Sequence, residues 1–332
     1  MNTLTVGIIG AGRIGKVHAN TILTQLPHIK IKYIADTWAG AKKYVESLNG
    51  LHFTQNIDDI FNDKEIEAVL ICSSTDTHVE YIIKAANAKK HIFCEKPVDH
   101  DLNRIILAKE AVELNGVKFQ IGFNRRFDHN FLAVKKAIDT HQIGDVRFIN
   151  ITSRDPEAPP IEYVKVSGGM FMDMTIHDFD MARFLAGSEV KEVYAKGVVM
   201  VDKAIGDAGD IDSAAIILTF ENGSIGIINN CREASYGYDQ RVEVFGSKGS
   251  VEIKNDTISS AIISTKNGVV AEKPLHFFMQ RYTQSYKDEM IQFIESIQNN
   301  TETKTNIIDG LKSVEIAKAA VLSYKENRVV KL

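Results

Sequence analysis

The sequence predicts a protein of class α/β plus α+β, divided into two domains. Residues 1–122 are expected to form a doubly wound parallel sheet covered by helices. Residues 123–332 are expected to form an α+β domain built on a large, mostly antiparallel open sheet. Three observations carry this prediction. Strand-like and helical runs alternate in the first part, β-rich runs joined by turns follow, and 332 residues are many for a single core.

The first domain is predicted from the alternation of its runs. Strand-like runs cover residues 4–9, 29–35, 68–73, 91–94 and 117–122, and helical runs cover residues 14–26, 39–48, 77–88 and 102–114. Pro27 would stop the first helix, His18 would pack on its buried side, and Asp101 would cap the last helix. Alternation of strand and helix is typical of a parallel sheet with helices on both faces.

The second domain is predicted from a change of pattern after a helix at residues 128–139. β-rich runs cover residues 146–153, 190–201, 213–220, 224–231 and 240–245, and two late helices cover residues 283–298 and 308–324. Residues 221–224 (Glu-Asn-Gly-Ser) are a hairpin signal, and consecutive hairpins form an antiparallel sheet. The apolar face at residues 214–218 and 225–228 needs cover, either from the domain's own helices or from another subunit.

Composition and charge exclude several classes of protein. The net formal charge of −4 gives no electrostatic reason to expect a nucleic acid or an anionic membrane as partner. The sequence shows no apolar run of membrane-spanning length and no signal-peptide pattern, so we expect a cytoplasmic protein. Cys72, Cys94 and Cys231 lack the spacing of a zinc site or a disulfide framework. They are expected to be core thiols, and no metal is predicted.

A glycine-rich turn follows the first predicted strand. Gly10, Gly12 and Gly15 have the spacing GxGxxG between that strand and a helix, which is the context of a Rossmann dinucleotide-binding turn. Gly10 would permit the tight turn, Gly12 would let the backbone approach a pyrophosphate, and Gly15 would let the helix lie close to the strand. The start of the helix, at Arg13 and Ile14, would supply N–H donors to the phosphates.

Asp36 stands at the end of the second predicted strand, 21 residues after Gly15. A carboxylate at this point would accept hydrogen bonds from both ribose hydroxyls of an adenosine and would repel a 2′-phosphate. Thr37 and Trp38 follow, with no arginine to bind that phosphate. The sequence therefore predicts NAD as the cofactor in preference to NADP.

Two further segments contain candidate catalytic residues. Lys96 and Pro97 end a predicted strand at the carboxyl edge of the sheet, where open α/β sheets bind their ligands. Asp173 and His177 stand four residues apart after a glycine pair, a spacing that places both on one face of a helix. An imidazole and a carboxylate so placed suit a general base and the group that tunes it.

Together these motifs resemble, over nearly the full chain, the large oxidoreductase family named after glucose–fructose oxidoreductase, inositol dehydrogenase and MocA. Residues 122–128, 152–156 and 167–185 resemble its inositol dehydrogenase branch. The resemblance implies an enzyme that oxidises a ring hydroxyl of myo-inositol to 2-keto-myo-inositol with NAD. Alternative substrates are scyllo-inositol, another polyol or an aldose, and the alternative function is a sugar sensor without catalysis. The resemblance also implies homotetramers built through the second sheet, and a last helix that packs back near the domain junction.

The resemblance also assigns site residues. His177 would take the hydroxyl proton, Asp173 would orient the imidazole, and Lys96 would stabilise the developing alkoxide. The Lys96–Pro97 peptide bond is expected to be cis. Cofactor contacts are expected from Gly10, Gly12, Arg13, Ile14, Gly15, Asp36, Thr37, Ser73, Thr75, His78, Glu95 and Lys96. Substrate contacts are expected from Lys96, Asn124, Arg126, Arg154, Asp155, Asp173, Thr175, His177 and Tyr236.

Overall fold

The computed structural model describes residues 3–48 and 50–332, and the element bounds given below refer to these residues. The chain divides into two compact units. The first comprises the chain up to Phe127 together with Gln284–Val314, and the second comprises Asp128–Thr283 and Glu315–Leu332. The predicted boundary at residue 122 had left residues 284–314 in the second domain. The packing of those residues, described below, explains the difference.

The first unit is built on a parallel sheet. Its strands are β1 (Leu4–Ile9), β2 (Ile29–Ala35), β3 (His52–Thr54), β4 (Ala68–Ile71), β5 (His91–Cys94) and β6 (Phe119–Ile121). They pair in the order β3-β2-β1-β4-β5-β6, which is the order of a doubly wound dinucleotide-binding sheet. Strands β1, β4 and β5 are almost wholly buried, as expected for a sheet with helices on both faces. The predicted Rossmann architecture is confirmed.

Helices connect these strands. They are α1 (Arg13–Gln25), α2 (Ala41–Glu46), α3 (Asp58–Asn62), α4 (Thr75–Asn87) and α5 (Leu102–Asn115), and a 3₁₀ helix covers Asn124–Phe127. Asp101 caps α5 as predicted, because its side chain accepts a hydrogen bond from the backbone N–H of Asn103 at 2.9 Å. Strand β3 and helix α3 were not predicted, since three to five residues are too few to show a hydrophobic period.

The second unit is built on a mixed, mostly antiparallel sheet, as predicted. Its strands are β7 (Val146–Arg154), β8 (Val190–Val198), β9 (Ser213–Phe220), β10 (Ile225–Cys231), β11 (Asp239–Gly246), β12 (Ser250–Ile253) and β15 (Val330–Lys331), while β13 (Ile262–Thr265) and β14 (Gly268–Ala271) form a separate hairpin. The sheet order is β12-β11-β7-β10-β9-β8-β15, and the β7–β10 pair is parallel. Residues 221–224 form the predicted turn between β9 and β10, where Gly223 has a φ of 86°.

The helices in the rest of the chain lie around this sheet or return to the first unit. They are α6 (His129–Asp139), α7 (Ile161–Val164), α8 (Met170–Asp173), α9 (Ile176–Ala186), α10 (Lys203–Asp207), α11 (Phe278–Arg281), α12 (Thr283–Gln298) and α13 (Ile307–Glu326). Helix α9 packs against β7. On β7 and β9–β11 buried and exposed side chains alternate, and the exposed ones include Phe148, Ile217, Ile227 and Phe245. Among the described helices, none has both the length and the hydropathy needed to cross a membrane.

Helix α12 belongs to the core of the first unit. Met290, Phe293 and Ile294 pack in the same buried cluster as side chains of β1 and β2. The chain that follows α12 covers the edge strand β6, because the hydroxyl of Thr305 donates to the carbonyl of Ile121 at 2.7 Å. This packing explains why residues 284–314 join the first unit. The sequence pattern predicts an amphipathic helix at this point but does not say which sheet the helix covers.

Candidate functional site

The turn between β1 and α1 is shaped by three glycines in different surroundings. Gly10 has a φ of 100°, and a Cβ there would meet the carbonyl oxygen of Cys72 at 2.5 Å. A Cβ at Gly15 would lie 2.0 Å from the carbonyl oxygen of Gly10. At Gly12, by contrast, no described atom outside the glycine and its two chain neighbours lies within 4 Å of the place a Cβ would take. Two glycines therefore permit the turn itself, and the third leaves room for a pyrophosphate beside the start of α1.

Asp36 holds the same turn from the end of β2. Its Oδ2 accepts a hydrogen bond from the N–H of Ala11 at 2.7 Å, and its Oδ1 accepts one from the N–H of Trp38 at 2.8 Å. Thr37 is exposed beside it, and its carbonyl accepts a hydrogen bond from the amide of Gln55. The carboxylate of Asp36 is thus fixed next to the glycine turn, where the adenosine ribose of a dinucleotide is expected.

His78 joins the ends of β4 and β5. It is 1% exposed, with Nδ1 2.8 Å from the carbonyl oxygen of Pro97 and Nε2 3.0 Å from that of Ser73. Burial lowers the pKa of His78, and the two carbonyls raise it by less. The histidine therefore ties two strand ends together, and its predicted contact with the cofactor stays a prediction. Ser73 and Thr75 are half-buried at the start of α4.

Lys96 follows β5 and is partly exposed. The Lys96–Pro97 peptide bond is cis, as predicted. Glu95, predicted to contact the cofactor, turns inward in this structure. Its Oε1 lies 2.6 Å from Nε2 of His18, and its Oε2 accepts a hydrogen bond from the backbone N–H of Lys96 at 3.3 Å.

Two candidate substrate residues lie in the 3₁₀ helix after β6, and both are buried. Nη2 of Arg126 donates to Oδ1 of Asp309 at 2.8 Å, so this arginine forms an ion pair within the first unit. Nδ2 of Asn124 is buried and has no hydrogen-bond partner among the described residues. Of the two, Asn124 is therefore the better placed to donate to a ligand.

The spacing of Asp173 and His177 predicted that both lie on one helix. In the structure they lie on two successive helices. Helix α8 ends at Asp173 and α9 begins at Ile176, because the backbone widens between them: the N–H of Thr175 donates to the carbonyl of Met170, five residues back, at 3.0 Å. Both candidates nevertheless reach the surface. Within residues 170–179, all of which the structure describes, Asp173 and His177 are the two that are not buried.

Two neighbours hold the carboxylate of Asp173. Oη of Tyr163 donates to Oδ1 at 2.7 Å, and Nη1 of Arg232 donates to Oδ2 at 3.0 Å. The same Nη1 lies 3.6 Å from Oδ2 of Asp155. Burial alone would lower the pKa of Arg232, but Asp173 and Asp155 outweigh burial and raise it. A permanent cation therefore stands between two carboxylates and favours their ionised forms. Neither Tyr163 nor Arg232 was predicted from the sequence.

Thr175 lies in a buried layer beneath these residues. Its hydroxyl donates to Oδ1 of Asn230 at 2.6 Å, and Nδ2 of Asn230 donates to Oδ2 of Asp178 at 2.8 Å. Thr175, Asn230 and Asp178 are all 2% exposed or less. In this structure Thr175 supports the α8–α9 segment from within, and its predicted contact with substrate stays a prediction.

Arg154 and Tyr236 form a separate chain of hydrogen bonds. Nη1 of Arg154 donates to Oη of Tyr236 at 2.9 Å, and that hydroxyl donates to Oδ2 of Asp239. Arg154 also donates twice to Oδ1 of Asn229. Of the predicted substrate residues in the second unit, the structure thus brings Asp155 to Asp173 through Arg232 and joins Arg154 to Tyr236.

Comparison with known proteins gives matches over both parts of the chain. Residues 4–123 match the oxidoreductase family, NAD-binding Rossmann fold, and residues 131–252 match the GFO/IDH/MocA C-terminal domain. The chain is 47% identical to an inositol 2-dehydrogenase of Rhizobium meliloti (99% of each chain) and 41% identical to a myo-inositol 2-dehydrogenase of Thermotoga maritima (99% of this chain, 98% of the relative). A solved scyllo-inositol dehydrogenase from Lactobacillus casei, with bound NAD(H) and scyllo-inositol, has a TM-score of 0.93 and 30% identity over 99% of each chain.

Proposed function

The chain belongs to the GFO/IDH/MocA family of NAD-binding oxidoreductases, and from that membership we propose that it is an inositol 2-dehydrogenase. The reaction is the oxidation of a ring secondary hydroxyl of myo-inositol to 2-keto-myo-inositol, with NAD as the hydride acceptor. The observation that carries the proposal is the pair of surface-reaching residues Asp173 and His177, with Arg232 buried against the carboxylate.

Removing a hydride from carbon requires that the hydroxyl proton also leave. NAD supplies the hydride acceptor when bound. We propose that His177 takes the proton, since an imidazole titrates near neutral pH. Arg232 favours the ionised form of Asp173, and a negative Asp173 stabilises a protonated imidazole. Lys96 donates to the substrate oxygen and stabilises the negative charge that develops there.

A polyol also needs partners for its other hydroxyls, because each buried polar group left unpaired costs about 1 to 3 kcal/mol. Asp155 is the best-supported acceptor, since Arg232 links it to Asp173. Asn124 is a candidate donor through its Nδ2, which has no hydrogen-bond partner in the described part of the chain. Epimers of inositol differ in the direction of one hydroxyl. Scyllo-inositol therefore remains the second candidate substrate, and the Lactobacillus casei relative supports it.

We also propose that the chain forms homo-oligomers, tetramers in particular, through the exposed face of the second sheet. Ile217 lies opposite Ile227 on neighbouring strands, and Phe245 lies opposite Phe148. All four are between 40% and 47% exposed in the single chain. An apolar patch that extends over four neighbouring strands is typical of a surface that another subunit covers.

The test is the rate of NADH appearance with NAD and, separately, myo-inositol, scyllo-inositol, D-chiro-inositol and D-glucose, each repeated with NADP. We expect NAD-linked turnover of myo-inositol and little activity with NADP. Faster turnover of another inositol would keep the mechanism and change the substrate. Binding of NAD and inositol without turnover by the pure protein would overturn the proposal in favour of a sensor.

A further inference from the structure

A buried trio of titratable side chains lies inside the first unit. His18 on α1, Glu95 after β5 and Glu289 on α12 are 0%, 8% and 0% exposed. One nitrogen or oxygen atom from each lies within 4.8 Å of those of the other two. Charges buried in a protein interior are costly unless they are paired or neutralised by a proton. Each charged group of the trio must therefore be paired with an opposite charge or neutralised by a proton.

His18 and Glu95 form a direct pair, with Nε2 and Oε1 2.6 Å apart. Glu289 is placed differently, because neither of its carboxyl oxygens has a hydrogen-bond partner among the described residues. An ionised Glu289 would bury a full charge without donors and would repel the charge of Glu95, whereas a neutral acid carries no charge to stabilise. Burial, and then the charge of Glu95, raises the pKa of Glu289 well above its usual range.

The other groups near the trio leave this balance unchanged. The rings of Phe93 and Tyr286 lie 5.0 Å and 5.6 Å from that of His18. Cys72 and Cys94 are fully buried, and burial and then the charge of Glu95 raise the pKa of both thiols, so they remain neutral. His18 pairs with one of the two carboxyl groups, and the other carboxyl, that of Glu289, keeps its own proton.

Glu95 connects the trio to the end of β5. Its Oε2 accepts a hydrogen bond from the backbone N–H of Lys96 at 3.3 Å. Its carboxyl group also fits closely against Gly122, where a Cβ would come within 3.0 Å of it. The side chain of Glu95 therefore contacts the backbone from which Lys96 extends.

We propose that Glu289 is a neutral acid beside the His18–Glu95 pair, and that His18 holds Glu95 in place and so positions Lys96. The inference rests on the proposed catalytic role of Lys96. His18 acts as a positioning residue, since it is fully buried and acts only through its contact with Glu95. A shared proton explains the His18–Glu95 distance of 2.6 Å better than a metal ion, because two ligands of a tetrahedral zinc ion stand about 3.4 Å apart.

The protonation of Glu289 can be tested without any turnover. If Glu289 is neutral in the folded protein, it keeps a proton that the unfolded chain releases above the ordinary carboxyl pKa, so the wild type loses stability as pH rises. Glu289→Gln lacks this loss. We expect the thermal midpoint of Glu289→Gln relative to wild type to increase from about pH 5 to about pH 8. Glu295→Gln, at an exposed position of the same helix, is the control and should show no such trend.

A Glu289→Gln difference that is flat or falls with pH would overturn the proposal, because Glu289 would then be ionised in the fold. One metal ion per purified chain, lost in Glu289→Gln, would overturn it as well. A wild type that turns over no inositol refutes the proposed function instead, and the pH series still decides the state of Glu289.

The positioning role is tested by two changes at His18. His18→Leu removes the donor to Glu95, whereas the amide of His18→Gln can still donate. We expect His18→Leu to lower kcat about tenfold or more with little change in KM for NAD, and His18→Gln to recover most of the loss. Wild-type kcat in His18→Leu would overturn the proposal. If His18→Leu does not fold, the kcat of a folded His18→Gln decides. A kcat near that of the wild type supports the role, and a kcat as low as that of a catalytically inactive variant overturns it.

Discussion

Nη1 of Arg232 donates a hydrogen bond to Oδ2 of Asp173 at 3.0 Å, and the arginine side chain is only 3% exposed. The cation is thus buried behind a carboxylate that reaches the surface. A guanidinium stays protonated at all working pH values, so a permanent cation contacts the carboxylate of Asp173, four residues before His177 in the chain. The carboxylate proposed to orient the base is therefore held by a residue that follows β10.

Replacing Arg232 by methionine should impair both turnover and folding. The change leaves Asp173 and Asp155 without their shared cation. We expect kcat to fall about 100-fold and the free energy of unfolding to fall by about 3 kcal/mol, as when one partner of a buried ion pair is removed. Steady-state kinetics and urea unfolding measure the two effects. Arg241→Met, at a half-exposed arginine of the same sheet, is the control and should keep wild-type kcat.

A second prediction concerns the proposed catalytic residues. His177→Ala should lower kcat by orders of magnitude and leave the dissociation constant of NAD nearly unchanged, because its role is proton transfer. Lys96→Ala should also lower kcat strongly. The wild-type kcat should rise with pH through the range in which histidine loses its proton. His28→Ala removes an exposed histidine and serves as control. Normal turnover in His177→Ala, or a flat pH profile, would remove the base from the mechanism.

Local patterns explain why the first part of the fold could be predicted so closely. The bounds of β1 and β2 agree with their apolar runs, and the glycine spacing predicts the turn between β1 and α1. Arg232 was not found, because its partner Asp173 is 59 residues away and no local pattern links them. For the break between α8 and α9 a local pattern was present but misleading. The spacing of Asp173 and His177 is that of a regular helix, although the backbone between them contains a widened turn.

The glycine turn gives a third prediction, in which two similar changes should have different effects. Gly15→Ala should destabilise the fold, because its Cβ would lie 2.0 Å from a backbone oxygen that cannot move away easily. Gly12→Ala should fold normally, since the space around its Cβ is open, but it should bind NAD at least tenfold more weakly. Thermal unfolding and NAD titration separate the two. Equal NAD affinity in Gly12→Ala and wild type would mean that the pyrophosphate does not approach this glycine.

A fourth prediction concerns cofactor choice. Asp36→Ser should weaken NAD binding and reduce the preference for NAD over NADP, because the carboxylate that repels a 2′-phosphate is gone. Asp36 also accepts hydrogen bonds from the N–H groups of Ala11 and Trp38, one on each oxygen, so Asp36→Asn removes the charge but keeps one of the two acceptors, whereas Asp36→Ser removes the whole carboxylate. The measurement is the ratio of kcat/KM for the two cofactors. An unchanged ratio in both variants would place the ribose elsewhere.

The last prediction concerns the exposed face of the second sheet. In a symmetric oligomer each copy contributes the same patch, so one substitution is repeated in every subunit. Burying an isoleucine stabilises an interface by about 1.5 to 3 kcal/mol, whereas a buried, unpaired lysine destabilises it. We therefore expect Ile217→Lys to shift the mass in solution toward the 37.0 kDa of one chain, as measured by sedimentation or light scattering. Ile258→Lys, at a position 83% exposed and outside the sheet, should leave the mass unchanged. A wild-type protein that sediments as a single chain would refute the proposed interface, and an oligomer unaffected by Ile217→Lys would place it on another surface.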